Sequence, residues 1–308
     1  MNLKKPKFWD FKEPNLIAYI LLPFAVLLQY LNNFFKRNDP FKFKIKTVCV
    51  GNIYIGGTGK TSLSIQINKI LNKKNIKTCF VKKFYINQAD EQKLLEQEGR
   101  LFLAKTRFEA IQKAEKENYE FAILDDGLQD PSIKYDFNLV CFNTLNWKGN
   151  GLTIPAGPLR ESINNLKNYN HVFLNGNLEN IDYLKDEIQK INSEIKIHLG
   201  KYEPINLQEF NKTEKYFVFS GIGNHKTFIK MLSNYGLDII ENIEFPDHYN
   251  YKSDDIEKII SKAKKLNSKI LTTKKDYLRL NKKYLEEIKF IEVELKIIDE
   301  NKFIETIL

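Results

Sequence analysis

The sequence predicts an α/β protein: a parallel sheet flanked by helices, a second and smaller α/β domain after it, and a membrane-associated helix ahead of both. Three observations carry that expectation. β-branched runs alternate with segments of helical spacing over residues 45–170, as a parallel sheet with crossover helices requires. A glycine-rich turn lies between the first such strand and the first such helix, and an uncharged apolar stretch runs from Pro14 to Phe35. Composition agrees: the 308 residues are 43% apolar and 28% charged, enough to bury a sizeable core and to form two domains. Collagen-like, low-complexity and solenoid architectures are excluded by 14 Gly, 9 Pro and the lack of an internal repeat. Cys49, Cys79 and Cys141 lie far apart, with no CxxC pair and no histidine at ligand spacing. That excludes a disulfide framework and a zinc site and fits a reducing compartment. The net charge of +9 favours partners that carry negative charge, although the lysines are scattered among Asn and Ile and single out no one partner.

The amino-terminal stretch PNLIAYILLPFAVLLQYLNNFF is flanked by Lys4, Lys5, Lys7 and Lys12 on one side and by Lys36 and Arg37 on the other. It is just long enough to span a bilayer. Pro23 in its middle and Gln29, Asn32 and Asn33 near its end suit a helix lying partly in the interface, with Phe8, Trp9, Phe11, Phe34 and Phe35 as headgroup anchors. No small-residue cleavage site follows, so a cleaved signal peptide is not expected.

Ile45–Val50 reads as the first strand, Gly51 to Gly59 as a loop, and Thr61 onward as a helix with apolar positions at Leu63, Ile67, Ile70 and Leu71. Its GGTGKT segment, Gly56, Gly57, Thr58, Gly59, Lys60 and Thr61, ends as a Walker A phosphate loop does, and Ser62 follows it. Glycines let backbone N–H groups close around phosphate oxygens, Lys60 supplies a point charge, and the Thr61 hydroxyl can ligate Mg²⁺. The strict pattern opens on glycine, where Tyr54 stands here. Downstream, the apolar strand before Asp125-Asp126-Gly127 has the Walker B arrangement, which holds a metal ion beside the loop. The sequence therefore predicts a P-loop NTPase-like sheet that binds a nucleotide with Mg²⁺.

Six segments occur in the order found in the tetraacyldisaccharide 4'-kinase family, which this chain resembles: GNIYIGGTGKT at 51–61, DDGLQ at 125–129, GNGLTIPAGPLRE at 149–161, SGIGN at 220–224, FPDHYNY at 245–251 and LTTKKD at 271–276. The resemblance implies transfer of phosphate from ATP, with Mg²⁺, to the 4' hydroxyl of a tetraacyldisaccharide 1-phosphate. It also implies a lipid A precursor as partner, at the cytoplasmic face of the inner membrane, and no nucleic acid. Carried over by motif, Lys60 and Thr61 fall on nucleotide and metal residues, and Asp125 and Asp126 on the Walker B pair. His248 matches a histidine that works with an aspartate of a GDE segment to activate the sugar hydroxyl, and Asp90 is the best match to that aspartate. Arg160 and Glu161 match the segment lining the site, Gln129 belongs to DDGLQ, and Lys83 and Tyr85 stand where the family has the Arg and Tyr of SRGYG. Two departures stand out: a shortened, glycine-free segment between Val81 and Asp90, and Asp130 where the family has histidine.

Among four histidines, His248 alone lies in a Pro-Asp-His-Tyr turn after an apolar strand. A histidine paired with a carboxylate can accept a proton near neutral pH. The competing reading is a P-loop GTPase of the metallochaperone type, because Thr273-Lys-Lys-Asp276 fits the guanine-recognition pattern. Three segments are expected: a membrane-associated one over 1–40, a nucleotide-binding domain over 41–176, and an α/β domain over 177–308 that completes the active-site cleft. The strands of the last are expected at 171–175, 215–220, 239–245, 269–273 and 288–294, with a hinge in the polar stretch from Asn177 to Glu214.

Overall fold

The computed structural model describes residues 5–34, 39–85, 88–179, 181–247 and 249–308, with residues 32–34, 89 and 90 described by backbone alone. The chain forms two compact units, one of residues 5–201 with 297–308, the other of residues 202–296.

In the larger unit, α1 (Leu16–Phe34) is followed by β1 (Lys46–Gly51), α2 (Lys60–Lys73), β2 (Thr78–Lys83), α3 (Ala89–Glu98), β3 (Leu101–Ala104), α4 (Arg107–Lys116) and β4 (Phe121–Asp125). The chain continues through β5 (Phe137–Asn143), β6 (His171–Asn175), α5 (Ile181–Ile191) and β7 (Lys196–Pro204). The smaller unit holds β8 (Lys215–Ser220), α6 (His225–Asn234), β9 (Asp238–Glu244), α7 (Ser253–Lys265), β10 (Lys269–Thr273), α8 (Lys274–Tyr277), β11 (Ile288–Ile291) and most of β12 (Val293–Ile297). The closing helix α9 (Glu300–Glu305) belongs to the larger unit.

The first sheet has the strand order β12-β7-β6-β5-β1-β4-β2-β3, and the second β11-β10-β8-β9. β1 lies between β4 and β5, parallel to both, so Val50 is opposite Asp125 and the carboxyl ends of these strands share one edge. Buried on both faces, the central strands read as continuous apolar runs rather than alternating ones. Cys49, Val81, Ala122 and Leu124 pack on one face against Ala110, Ile111 and Ala114 of α4. Val140, Phe142, Val172 and Leu174 pack with Leu184 and Ile188 of α5.

Two expectations are corrected. Residues 171–175 pair with β5 in the first sheet, register Leu139 with His171, instead of opening the second. The first unit does not end at residue 176: it continues through α5 into β7, and the division falls at Lys201 and Tyr202, within the stretch from Asn177 to Glu214 that was expected to carry the hinge. The reason is register. β7 runs parallel to β6 from His171 opposite Lys196 to Asn175 opposite Gly200, which extends the first sheet beyond the expected limit at residue 176.

α1 turns Ala18 and Ala25 inward, both buried, and exposes Leu16, Ile17, Tyr19, Ile20, Phe24, Val26, Leu27 and Tyr30. Among the described residues no helix is long and apolar enough to cross a membrane.

Candidate active site

The phosphate loop joins β1 to α2. Gly59 caps α2 with φ +83°, a left-handed conformation that a side chain would oppose, and Lys60 opens the helix. The first N–H groups of a helix have no partner within it and carry its positive dipole end, which suits an anion. Asn52 Nδ2 donates to the carbonyls of Tyr54 (2.6 Å) and Gly56, and Asn175 Nδ2 to that of Thr58 (2.7 Å). Loop carbonyls are thus drawn back into the protein. Tyr54, at the position of the first Walker glycine, is buried; its hydroxyl donates to Asp10 (2.8 Å) and accepts from Lys5 (2.7 Å). The loop is also laced to the segment at 149–161: Ile55 N donates to Pro158 O (2.8 Å) and Arg160 N to Ile53 O (2.6 Å).

The two acidic residues after β4 have different surroundings. Asp125 is buried, and its carboxylate accepts from Thr61 Oγ1 (3.2 and 3.4 Å) and from Lys82 Nζ (2.6 Å). Asp126 leaves the strand at φ +67°, where a short polar side chain is tolerated, and its two oxygens accept from Arg160 Nη1 at 2.9 and 3.0 Å. Lys60 Nζ lies 4.0 Å from Asp126 Oδ2. Burial pushes the Asp126 carboxyl up, but the Lys60 and Arg160 cations outweigh it and hold the group below the usual carboxylate range.

Lys82 is the residue that the sequence reading missed. Val81 is opposite Leu124 in the parallel ladder, so the next residues, Lys82 and Asp125, project together to the other face. Lys82 Nζ meets Asp125 and also Glu91 Oε2 (2.8 Å). Burial disfavours its charge, yet the two carboxylates prevail and raise its pKa. Lys83, one position on, has the opposite parity and places its ammonium 5.5 Å from the Tyr85 ring centroid. The alternation of β2 was the available signal.

The remaining predicted residues divide. Gln129 Nε2 donates to Asn52 O (3.0 Å) and Glu161 Oε1 (2.9 Å), and its Oε1 accepts from Arg160 (3.2 Å). Glu161 is buried and accepts further bonds from Tyr169 (2.9 Å) and Asn165 (2.7 Å), which makes it a brace behind Gln129 and Arg160. Asp130 replaces the family histidine and pairs with Arg107 (3.3 Å) and Ser132. Asp90 lies in the first turn of α3, where the backbone alone is described, and His248 lies outside the described residues. In the smaller unit two of the residues that follow are held by carboxylates: Tyr249 donates to Asp255 (3.0 Å) and Tyr251 to Asp276 (2.9 Å).

The surroundings of Asp276 weaken the GTPase alternative. Its carboxylate is wholly buried and accepts from Gly221 N, Tyr251, Thr273 and Arg279. The TKKD segment therefore braces the SGIGN and FPDHYNY turns, and its carboxylate is not offered to a base.

The donor set fits Mg²⁺. This hard ion takes one or two carboxylate or hydroxyl oxygens from a protein and completes its shell with water and phosphate. Thr61 and Asp125, already in hydrogen-bond contact beside the loop, present that chemistry. Among the described residues, the buried Thr58 Oγ1 and Asn175 Oδ1 find no hydrogen-bond partner at the base of the loop.

A parallel sheet with a phosphate loop at its carboxyl edge and an acidic pair on the neighbouring strand defines an α/β protein of the P-loop nucleotide-binding class. Residues 17–90 and 85–308 match the tetraacyldisaccharide-1-P 4'-kinase family, LpxK. The tetraacyldisaccharide 4'-kinase of Pelagibacter ubique (strain HTCC1062) is 56% identical over 300 residues, covering 97% of this chain and 96% of that one. The protein of the same name from Rickettsia akari (strain Hartford) is 34% identical over 301 residues, with coverage of 91% and 90%. The chain belongs to the tetraacyldisaccharide 4'-kinase family. A crystal structure of LpxK from Aquifex aeolicus in complex with ATP shares the fold, with a TM-score of 0.68 and 24% identity over 95% of this chain and 99% of that one.

Proposed function

We propose that this chain transfers the γ-phosphoryl group of ATP to the 4' hydroxyl of a tetraacyldisaccharide 1-phosphate, a lipid A precursor, at a membrane surface. The observation that carries the reading is the convergence of Lys60, Thr61, Asp125, Asp126 and Arg160 at one sheet edge, in a chain of this kinase family. Phosphoryl transfer asks for positioning and charge neutralisation more than for covalent chemistry. Backbone N–H groups at the start of α2 and the Lys60 ammonium suit the β and γ phosphates, while Thr61 and Asp125 would hold Mg²⁺. When bound, the ion would supply neutralisation of the charge that develops on transfer. Arg160 keeps Asp126 ionised and fixed beside Lys60. His248 is the residue this reading assigns to take the proton from the sugar hydroxyl, the role its family motif implies.

The exposed apolar face of α1 supports a membrane surface as the place of reaction. A contiguous patch of large apolar side chains is costly in water, and a helix with basic flanks can bury it at the headgroup boundary. Gln29 of that helix donates to Arg160 O (3.0 Å), so the lipid-facing element touches the segment that bears a site residue. The cytoplasmic face of the inner membrane is the location this reading assigns.

The test is transfer of radiolabel from ATP to a tetraacyldisaccharide 1-phosphate in mixed micelles. His248→Ala is expected to keep ATP affinity and to lose turnover by about 100-fold or more, the usual scale for removing a general base. A folded parent protein that labels no glycolipid acceptor would end the proposal, and undiminished turnover in the variant would remove His248 from it.

A further inference from the structure

Lys82 is the one lysine or arginine among the described residues that is fully buried, and none of the chemistry above uses it. Burying an ammonium is costly unless it is well paired. Its nitrogen lies within hydrogen-bond distance of two carboxylates from different elements, Asp125 Oδ2 at the end of β4 (2.6 Å) and Glu91 Oε2 in the first turn of α3 (2.8 Å).

The two ends of α3 are held differently. At its carboxyl end Leu95 is buried in the core, Asn68 Nδ2 donates to Glu98 O (3.0 Å), and Lys69 pairs with Glu98. At its amino end the capping residue Gln88 makes no side-chain cap hydrogen bond. Among the described residues this end is held by the bonds from Gln88 N (3.2 Å) and Gln92 Nε2 (2.8 Å) to Tyr85 O, just past β2, and by the bridge from Lys82 in β2 to Glu91. The segment that leads from β2 into α3 is also the one shortened and stripped of glycine relative to the family pattern.

We propose that Lys82 is a positioning residue: its ammonium bridges Asp125 and Glu91 and so holds the first turn of α3, which carries Asp90, at the phosphate end of β4. A compact ammonium with three donors suits this task, because it can meet two carboxylates from separate elements at one point. The inference rests on the kinase reading for the role of Asp90, and on geometry alone for the pin.

The experiment uses the full chain with Glu91→Gln, Lys82→Met and the double variant. Glu91 is partly exposed and Gln has its shape, so this variant keeps its fold even if Lys82→Met does not. In Glu91→Gln, backbone amides of residues 88–92 are expected to exchange with solvent about tenfold faster while those of 95–98 are unchanged, the signature of a local opening. Turnover is expected to fall by about 10- to 100-fold, as when a supporting partner of a ligand is removed, with KM for ATP nearly constant. The double variant is expected to lose no more turnover than Lys82→Met alone, since the two residues act as one unit. Unaltered exchange at 88–92 in Glu91→Gln overturns the pin, and so does a turnover loss matched by an equal rise in KM for ATP. If the parent transfers no phosphate to a glycolipid, the kinase reading fails, while the exchange measurement still decides the role of Lys82.

Discussion

Replacing Arg160 with Gln removes the main cation hydrogen-bonded to Asp126 and tests whether that carboxylate is held by charge. Arg160 Nη1 bonds both Asp126 oxygens, at 2.9 and 3.0 Å, and both side chains are more than a fifth exposed. A hydrogen bond to a charged group contributes about 1.5–3 kcal/mol. Solvent screening and the remaining Lys60 ammonium, 4.0 Å from Asp126, reduce this to roughly 1–2 kcal/mol. For a unit of this size, that corresponds to a fall in Tm of roughly 2–8 °C at neutral pH. The sign of the pH dependence follows from the lowered Asp126 pKa. A carboxyl depressed in the folded state stabilises above its ordinary pKa, about 3.9, and that contribution is lost as pH falls through the folded value. The gap in Tm between parent and variant is therefore widest at pH 7 and closes on acidification below the ordinary carboxylate range. Scanning calorimetry from pH 7 to pH 3, at low and high salt, measures it. A gap that persists or widens in acid would refute the charge argument and leave Arg160 with a packing role only.

Three further outcomes follow from the same geometry. Lys60→Met is expected to weaken ATP binding by about 10-fold or more in calorimetry, with Tm little changed, because Lys60 stands at the edge of ion-pair distance from Asp126. Tyr54→Phe deletes the hydroxyl that links Lys5 and Asp10 to the phosphate loop; a loss of about 1 kcal/mol in urea unfolding, with faster proteolysis around residues 5–14, is expected, and unchanged proteolysis would disconnect that segment from the loop. His171 and His198 stack in the larger unit with ring nitrogens 3.1 Å apart, and burial lowers each pKa from 6.5 to about 4. The unfolded chain then binds more protons between those values, so stability falls as pH drops from about 6.5 to about 4. His171→Gln/His198→Gln should flatten that slope in urea titrations, and an equally steep slope would assign it to other groups.

Much of the site could be read along the chain because its signals are local. The glycine turn, Lys60 and Thr61 occupy six consecutive positions, 56–61, in a strand-to-helix setting, and the acidic pair ends an apolar run. Other assignments depended on pairing. Lys82 and Lys83 are indistinguishable in composition, and what separates them is the parity of β2 against β4, which brings Lys82 to Asp125. Glu161, read as lining the site, is drawn into bonds with Gln129, Tyr169 and Asn165. Asp276, readable as a guanine contact, is enclosed by Gly221, Tyr251 and Arg279.

What the sequence by itself determined is the class of chain and the location of its phosphate chemistry, since strand, turn and helix propensities and short motifs act over a few residues. Only the tertiary structure decided which cation meets which carboxylate, where β7 ends one unit, and that α1 turns its small residues inward and its large ones to the outside. Those facts arise from register between strands and packing between distant segments. A single residue of offset reverses the face of every side chain on a strand, and no local pattern encodes the partner strand's register.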